Sequence, residues 1–157
     1  MLPRRYVDQH CSIAASLELV GDRWTLLVLR EAFLGTRRFD DFQHRLGVAR
    51  NVLTDRLRRL TDEGILERAR YQEGPERFEY RLTGKGLDLW PVLVALMQWG
   101  DRYAIDGEPP VVLRHRDCGG EVDDRRVCAR CRAPLGPRDV QRLRPSTTPG
   151  APGQLIA

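Results

Sequence analysis

The sequence predicts a mainly α (α+β) fold: a winged helix-turn-helix with a two-stranded β-wing, helices at both ends of that head, and a small zinc-ribbon-like hairpin behind it. Three observations carry the prediction. Residues 38–83 run as a short helical pattern, a glycine turn, a second and more basic helical pattern, and an Arg-rich hairpin. Residues 87–103 are apolar nearly all round. Two pairs of soft ligands then follow, His115 with Cys118 and Cys128 with Cys131, each pair separated by two residues.

Two helices are expected ahead of the head. Ile13, Leu17, Val20 and Trp24 keep a helical beat, but Gly21 and Asp22 interrupt it, and Asp22 is a good N-cap for a new helix, RWTLLVLREAF. Trp24, Leu26, Leu27, Leu29 and Phe33 make that second helix the expected hydrophobic centre, and Gly35 ends it. In RFDDFQHRL the spacing of Phe39, Phe42 and Leu46 leaves one face of a short helix apolar. Gly47 can close it in the left-handed conformation, with Val48 packing back into the angle between helices.

The next helix carries the reading face. In ARNVLTDRLRRLTDEG, Leu53, Leu57 and Leu60 recur at i, i+4 and i+7, Val52 widens the stripe, and Gly64 supplies the stop. The other face holds Arg50, Asn51, Thr54, Asp55 and Arg58. Arg and Asn are the side chains that make bidentate hydrogen bonds to guanine and adenine edges. Residues 36–60 hold seven Arg against three Asp, an excess of four that equals the net charge of the whole chain. Charge alone decides little, because charged helix faces are usually solvated and this chain has 25 Arg to one Lys, a skew typical of coding bias. The order of helix, turn, helix and wing is what favours double-stranded DNA as the partner.

ILERARY and RFEYRL read as the wing, with QEGPE as its turn. Phe78, Tyr80 and Leu82 fall on one face of the second strand and Arg77, Glu79 and Arg81 on the other. Arg70 and Arg77 flank the turn. They either approach DNA, as Arg38 does from the start of the reading head, or pair across the strands with Glu73, Glu76 or Glu79.

Taken together, GDRWTLLVLREAFLGTRRFDDFQHRLGVARNVLTDRLRRLTDEGILER, EGPERFEYRLTGKG and LWPVLVALMQWG resemble the HxlR family of bacterial winged helix-turn-helix transcriptional regulators, from Cys11 to about Tyr103. The resemblance implies a homodimer on a palindromic operator, often a repressor, with Arg50, Asn51 and Thr54 facing DNA. The family usually has Ser or Thr where this chain has Ala49. Losing that cap weakens the helix end by about 1 kcal/mol unless Asn51 or a phosphate satisfies the free amides.

Beyond the wing, Thr83 is placed to cap an apolar helix running through Leu87, Leu89, Trp90, Val92, Leu93, Leu96, Met97, Trp99 and Tyr103, which Pro91 should kink or split. So much apolar surface at the edge of a small head calls for cover, and a second copy supplies it. With the N-terminal helix packed on this one, a two-fold axis would set the recognition helices about 34 Å apart, one DNA turn. The same aromatics can line a ligand pocket, although plain packing explains them.

His115, Cys118, Cys128 and Cys131 match the way a short chain sets four ligands around zinc, with Gly119 and Gly120 allowing the tight first turn. A metal-free thiol hairpin or a redox pair are the other readings. Residues 145–157, rich in Pro, Ser, Thr and Gly, read as disordered. Cys11 precedes a helix start near His10 and Arg5, where dipole and charge stabilise a thiolate, so it is either a redox sensor or a small residue tucked under the helix.

The expected organisation is 1–108 for DNA binding and dimerisation, 109–144 for the Cys/His hairpin, and 145–157 for the tail. No apolar run resembles a signal peptide or approaches a membrane span, so a cytoplasmic protein is expected. His10, His44 and His115 are the three histidines, and none lies near a nucleophile and base, which disfavours an enzyme. The alternative to a DNA-binding regulator is a zinc-ribbon interaction module that recruits transcription machinery.

Overall fold

The computed structural model describes residues 10–72, 77–144 and 154–155. The turn of the wing with Glu73 and Glu76, Arg5, and most of the 145–157 tail lie outside them. The chain forms two compact units, residues 1–88 and 89–157. The last long helix therefore groups with the cysteine-bearing segment, whereas the sequence reading grouped it with the head.

The first unit contains α1 (Ser12–Val20), α2 (Arg23–Phe33), α3 (Phe39–Leu46), α4 (Arg50–Asp62), the antiparallel strands β1 (Leu66–Gln72) and β2 (Arg77–Leu82), and the short α5 (Gly84–Leu87). This is the winged helix-turn-helix. Asp22 caps α2 as its sequence position indicates, accepting from the backbone N–H of Trp24 at 2.9 Å and of Thr25 at 3.3 Å. Gly47 closes α3 at φ 60°, and Gly64 follows α4 at φ 66°, both in the left-handed region that disfavours a Cβ.

Phe42, Leu53, Leu57, Leu60, Ile65 and Leu66 are fully buried at the junction of the reading head and the wing. The core face of α2 differs from the one expected. Thr25, Val28, Leu29 and Ala32 are buried at i, i+3, i+4 and i+7, while Trp24, Leu26, Leu27 and Phe33 are only half-buried. Smaller side chains occupy the stripe that meets α3 and α4, because helices approach closely where the facing residues are small. Glu31 is buried as well, held by Arg30 at 2.9 Å and by the hydroxyl of Thr36, which donates at 3.3 Å.

The wing has a partial third strand that the sequence did not suggest. The backbone N–H of Tyr80 donates to the carbonyl of Arg37 at 2.8 Å, and Arg38 forms an antiparallel bridge with Glu79. The stretch leading into α3 is thereby tied to β2. The ring of Tyr80 meets that of Phe42 edge-on at 6.5 Å.

Thr83 caps only the four-residue α5, accepting from Gly86, and its hydroxyl donates to the carbonyl of Gly64 at 2.6 Å. The apolar segment is split as Pro91 indicated, with the break at Asp88 and Leu89, just before the proline. Pro91 sits in the first turn of α6 (Trp90–Tyr103), where its missing N–H leaves no bond unmade. Gly86 presses on the end of β1, where a Cβ would overlap the carbonyl oxygen of Ile65.

The second unit contains α6 and an antiparallel sheet in the order β3-β4-β5, from β3 (Val112–His115), β4 (Val140–Arg144) and β5 (Gln154–Leu155). Residues 154–155 thus correct part of the tail read as disordered: they pair with Leu143 and Arg144, whose outer edge offers unpaired backbone groups. Among the described residues, no helix is long and apolar enough to cross a membrane.

Candidate nucleic-acid interface and metal centre

The leucine face of α4 turns inward, so the opposite face must turn out. Arg50, Asn51, Thr54, Asp55 and Arg58 are all exposed along one side, with Ala49 exposed at the start. Ala49 makes no side-chain capping bond, so nothing of its own fills the first amides of this helix. The hydroxyl of Thr54 donates to the carbonyl of Arg50 at 2.8 Å. Arg58 pairs with Asp55 at 2.7 Å, an exposed pair of small energetic weight that a stronger anion can displace.

Arg50 is held at the mouth of a cleft. Its guanidinium lies 4.6 Å from the centre of the Phe39 ring and 3.9 Å from the carboxylate of Asp40. The cleft has a volume of 510 Å³ and runs between the starts of α3 and α4 and the wing, lined by Arg38, Arg50, Arg68, Arg77, Phe39 and Phe78 among others. Arg38, Arg50 and Arg77 of the sequence reading thus converge. Arg68 was missed there; it stacks on Phe78 at 3.4 Å. Its signal was its strand position, two residues from Arg70 on the same face.

Arg70 is exposed and lies opposite Phe78, and a bulge between Arg70 and Gln72 brings Gln72 opposite Arg77. Glu79, one of the acids weighed as their partner, pairs instead with Arg81 at 3.1 Å and Arg38 at 3.8 Å. Glu73 and Glu76 lie outside the described residues.

The second cluster lies in the second unit. His115, Cys118, Cys128 and Cys131 bring their ligand atoms within 4.8 Å of one another. Nδ1 of His115 is 3.3 Å from the sulfur of Cys118 and 3.3 Å from that of Cys131, and Cys118 and Cys128 are 3.4 Å apart. Four such atoms around one tetrahedral ion at zinc bond lengths would lie roughly 3.4–3.8 Å apart. The arrangement can hold a metal ion.

The same backbone turn recurs in both knuckles. In the first knuckle the N–H of Gly119 donates to the carbonyl of His115 at 2.8 Å, and the N–H of His115 to the carbonyl of Gly120 at 2.8 Å. In the second, Arg132 donates to Cys128 at 2.9 Å, and Cys128 to Ala133 at 2.9 Å. The residue after each second ligand is left-handed, Gly119 at φ 72° and Arg132 at φ 64°. Holding an arginine there costs about 1 kcal/mol or more, which the rest of the knuckle must outweigh. Gly120 lies against the Cys128 sulfur where a Cβ would not fit.

Neighbouring groups act on two of the thiols and on the imidazole. The backbone N–H of Cys131, with that of Arg130 and against the opposing effect of burial, brings the Cys128 thiol down from 9.0 to about 6, while its neighbour Cys118, despite the lowering N–H of Gly120, is pushed up by Cys128 and by burial. The outer nitrogen of His115, Nε2, faces the carboxylate of Asp117 at 3.5 Å, the outer contact that orients a metal-binding imidazole. His115 is buried at 7 % exposure, so it is not a surface histidine.

Cys11 occupies the N-cap position of α1 and is exposed. The backbone N–H groups of Ala14 and then Ile13 lower its thiol from the ordinary value.

Comparison with known proteins agrees with this geometry. Residues 19–108 match the family model described as HxlR-like helix-turn-helix. The chain is 47% identical over 147 residues to an HTH-type transcriptional regulator of Mycobacterium tuberculosis, covering 93% of this chain and 91% of the relative. The crystal structure of PA1607, described as a transcription factor, superposes with a TM-score of 0.66 at 38% identity, covering 88% of this chain and 96% of that one. The redox regulator HypR in its reduced form is 27% identical with a TM-score of 0.56, covering 60% of this chain and 94% of its own.

Proposed function

The chain belongs to the HxlR-like helix-turn-helix family of transcriptional regulators, and from that premise we propose that it binds a palindromic operator as a homodimer and represses by occupying it. The supporting observation is α4: three leucines buried behind it and Arg50, Asn51 and Thr54 exposed in front, beside a wing fixed to the same head. Arg50 and Asn51 read base edges, Thr54 contacts bases or backbone, and Arg38, Arg58, Arg70 and Arg77 contact phosphates. A DNA phosphate at Ala49 supplies the missing cap. In this scheme Asp55 limits the set of bases that Arg58 tolerates.

The reading is checked on a duplex selected from a random pool. Arg50→Ala should weaken binding to it by about 1–3 kcal/mol, roughly fivefold to 150-fold, and relax the preference at one base position. Equal affinity and unchanged preference would remove Arg50 from the reading face.

The partner copy is argued from α6. Val92, Leu96, Trp99 and Tyr103 recur at intervals of four, three and four, and all four are exposed, Trp99 at 59 % and Tyr103 at 65 %. Ile13 and Leu17 form a similar exposed pair on α1. A two-fold dimer through these faces presents two recognition helices to successive major grooves.

The ion at the Cys/His cluster is zinc on this reading, since three thiolates and one imidazole in a tetrahedron are its common structural set. It would fold and brace the hairpin, with all four positions filled by protein. Cys11 is the candidate for thiol sensing, as an exposed cysteine with a lowered pKa beside the proposed dimer face of α1. Peroxide should weaken operator binding by the wild-type protein and leave a Cys11→Ser protein unaffected; an identical response in both would exclude it.

A further inference from the structure

The distribution of charge separates the two ends of the chain. Residues 1–108 hold seventeen Lys and Arg against seventeen Asp and Glu, and residues 145–157 hold none of either. Residues 109–144 hold nine Arg against five acids, so the entire net charge of +4 lies in the metal-site hairpin. A coding bias toward Arg does not account for this, because it acts on both ends alike and the head is balanced.

Of the five acids of the hairpin, one pairs with an arginine among the described residues, and the other four keep their charge, most of them at the surface. Glu121 pairs with Arg114 at 2.8 Å, and Asp117 faces His115. Asp123 accepts from the backbone N–H of Arg125 and of Val127, and Asp139 accepts from that of Gly136. Asp124 is exposed. Arg116, Arg125, Arg130, Arg132 and Arg138 are exposed, and among the described residues none of them has a carboxylate partner. Arg130 donates to the carbonyl of Cys118 at 2.7 Å and Arg116 to that of Arg138 at 3.0 Å, which groups Arg116, Arg130, Arg132 and Arg138 around the two knuckles.

We propose that this guanidinium-studded hairpin is a second DNA-contacting surface, gripping phosphates without reading bases. The inference extends the DNA-binding reading of the head and rests on it. An acidic protein would also answer the charge, but protein interfaces take their affinity from large apolar anchors. None of the large apolar side chains exposed on this protein lies within 109–144. Phosphate binding needs no such anchors, and exposed guanidinium groups on a rigid turn suit it.

The test uses the full-length, metal-loaded protein and a labelled duplex of arbitrary sequence about four helical turns long, titrated at a series of salt concentrations. Arg125, Arg132 and Arg138 form no side-chain hydrogen bond that the fold depends on, so R125Q/R132Q/R138Q removes charge alone. The logarithmic salt slope should fall by about 2.7, near 0.9 for each lost phosphate contact, with affinity at low salt down tenfold or more. The triple lysine variant should keep the slope, and its retention guards against a glutamine variant that loses its metal and misfolds. An unchanged slope in the glutamine variant would overturn the proposal, also in favour of an acidic protein partner. Arg50→Ala separates the two readings: if it alone changes DNA binding, only the hairpin surface fails, and if neither variant matters, the head's assignment fails too.

Discussion

A Cys128→Ser protein is expected to purify without metal and with residues 109–144 unfolded, while the head keeps its structure. Cys128 is fully buried, its sulfur lies against Gly120, and both knuckles close around it. A structural zinc site contributes apparent binding free energy of about 10–16 kcal/mol, much of it folding free energy, so losing one ligand exceeds anything the small sheet can offset. Hydrogen exchange read by mass spectrometry should show amide protection lost from Val112 to Arg144 and retained in α2 to α4. A strong chelator acting on the wild type should give the same pattern. A metal-free hairpin with wild-type protection would reject the structural metal.

Leu96→Asp carries the second large effect. Leu96 lies in the middle of the exposed stripe on α6, between Val92 and Trp99, so the proposed partner would bury it. Full burial of one such side chain contributes about 1.5–3 kcal/mol, and an unpaired carboxylate in its place adds a desolvation cost of several kcal/mol. The substitution occurs twice in a symmetric dimer. Light scattering at micromolar concentration should report a monomer with a wild-type circular dichroism spectrum, and operator affinity should fall by two or more orders of magnitude, since each half-site would bind alone. A dimer that persists would move the interface elsewhere.

The reading head was legible because its signals are local. The Leu53, Leu57 and Leu60 spacing, the glycines at 35, 47 and 64, and the Asp22 cap each fix a φ value or a face without help from distant residues. What was not legible depends on tertiary contacts. The core side of α2 runs through Thr25, Val28 and Ala32 because α3 and α4 need close approach there, and a hydrophobicity count prefers Leu26 and Leu27. The bridge of Arg38 to Glu79 joins residues forty-one positions apart and has no local periodicity. The four residues of the Cys/His cluster were visible from spacing alone. The orientation of His115, its contact with Asp117, and an arginine in the left-handed position at 132 where glycine would be easier were not.

The amide of Gln98 donates to the carbonyls of Val122 and Asp123 at 3.3 and 3.2 Å, and Val122 bridges to Cys128. Gln98 is also the neighbour in sequence of Trp99, on the stripe proposed to meet the second copy. If the cluster takes up an ion and α6 meets a second copy as proposed, both draw on the same stretch of helix, and the two equilibria are expected to be coupled. Whatever factor the ion applies to the association constant, association must apply to the affinity for the ion, because the thermodynamic cycle closes. Dilution should then loosen the grip on metal by the factor that metal depletion loosens the grip of one subunit on the other.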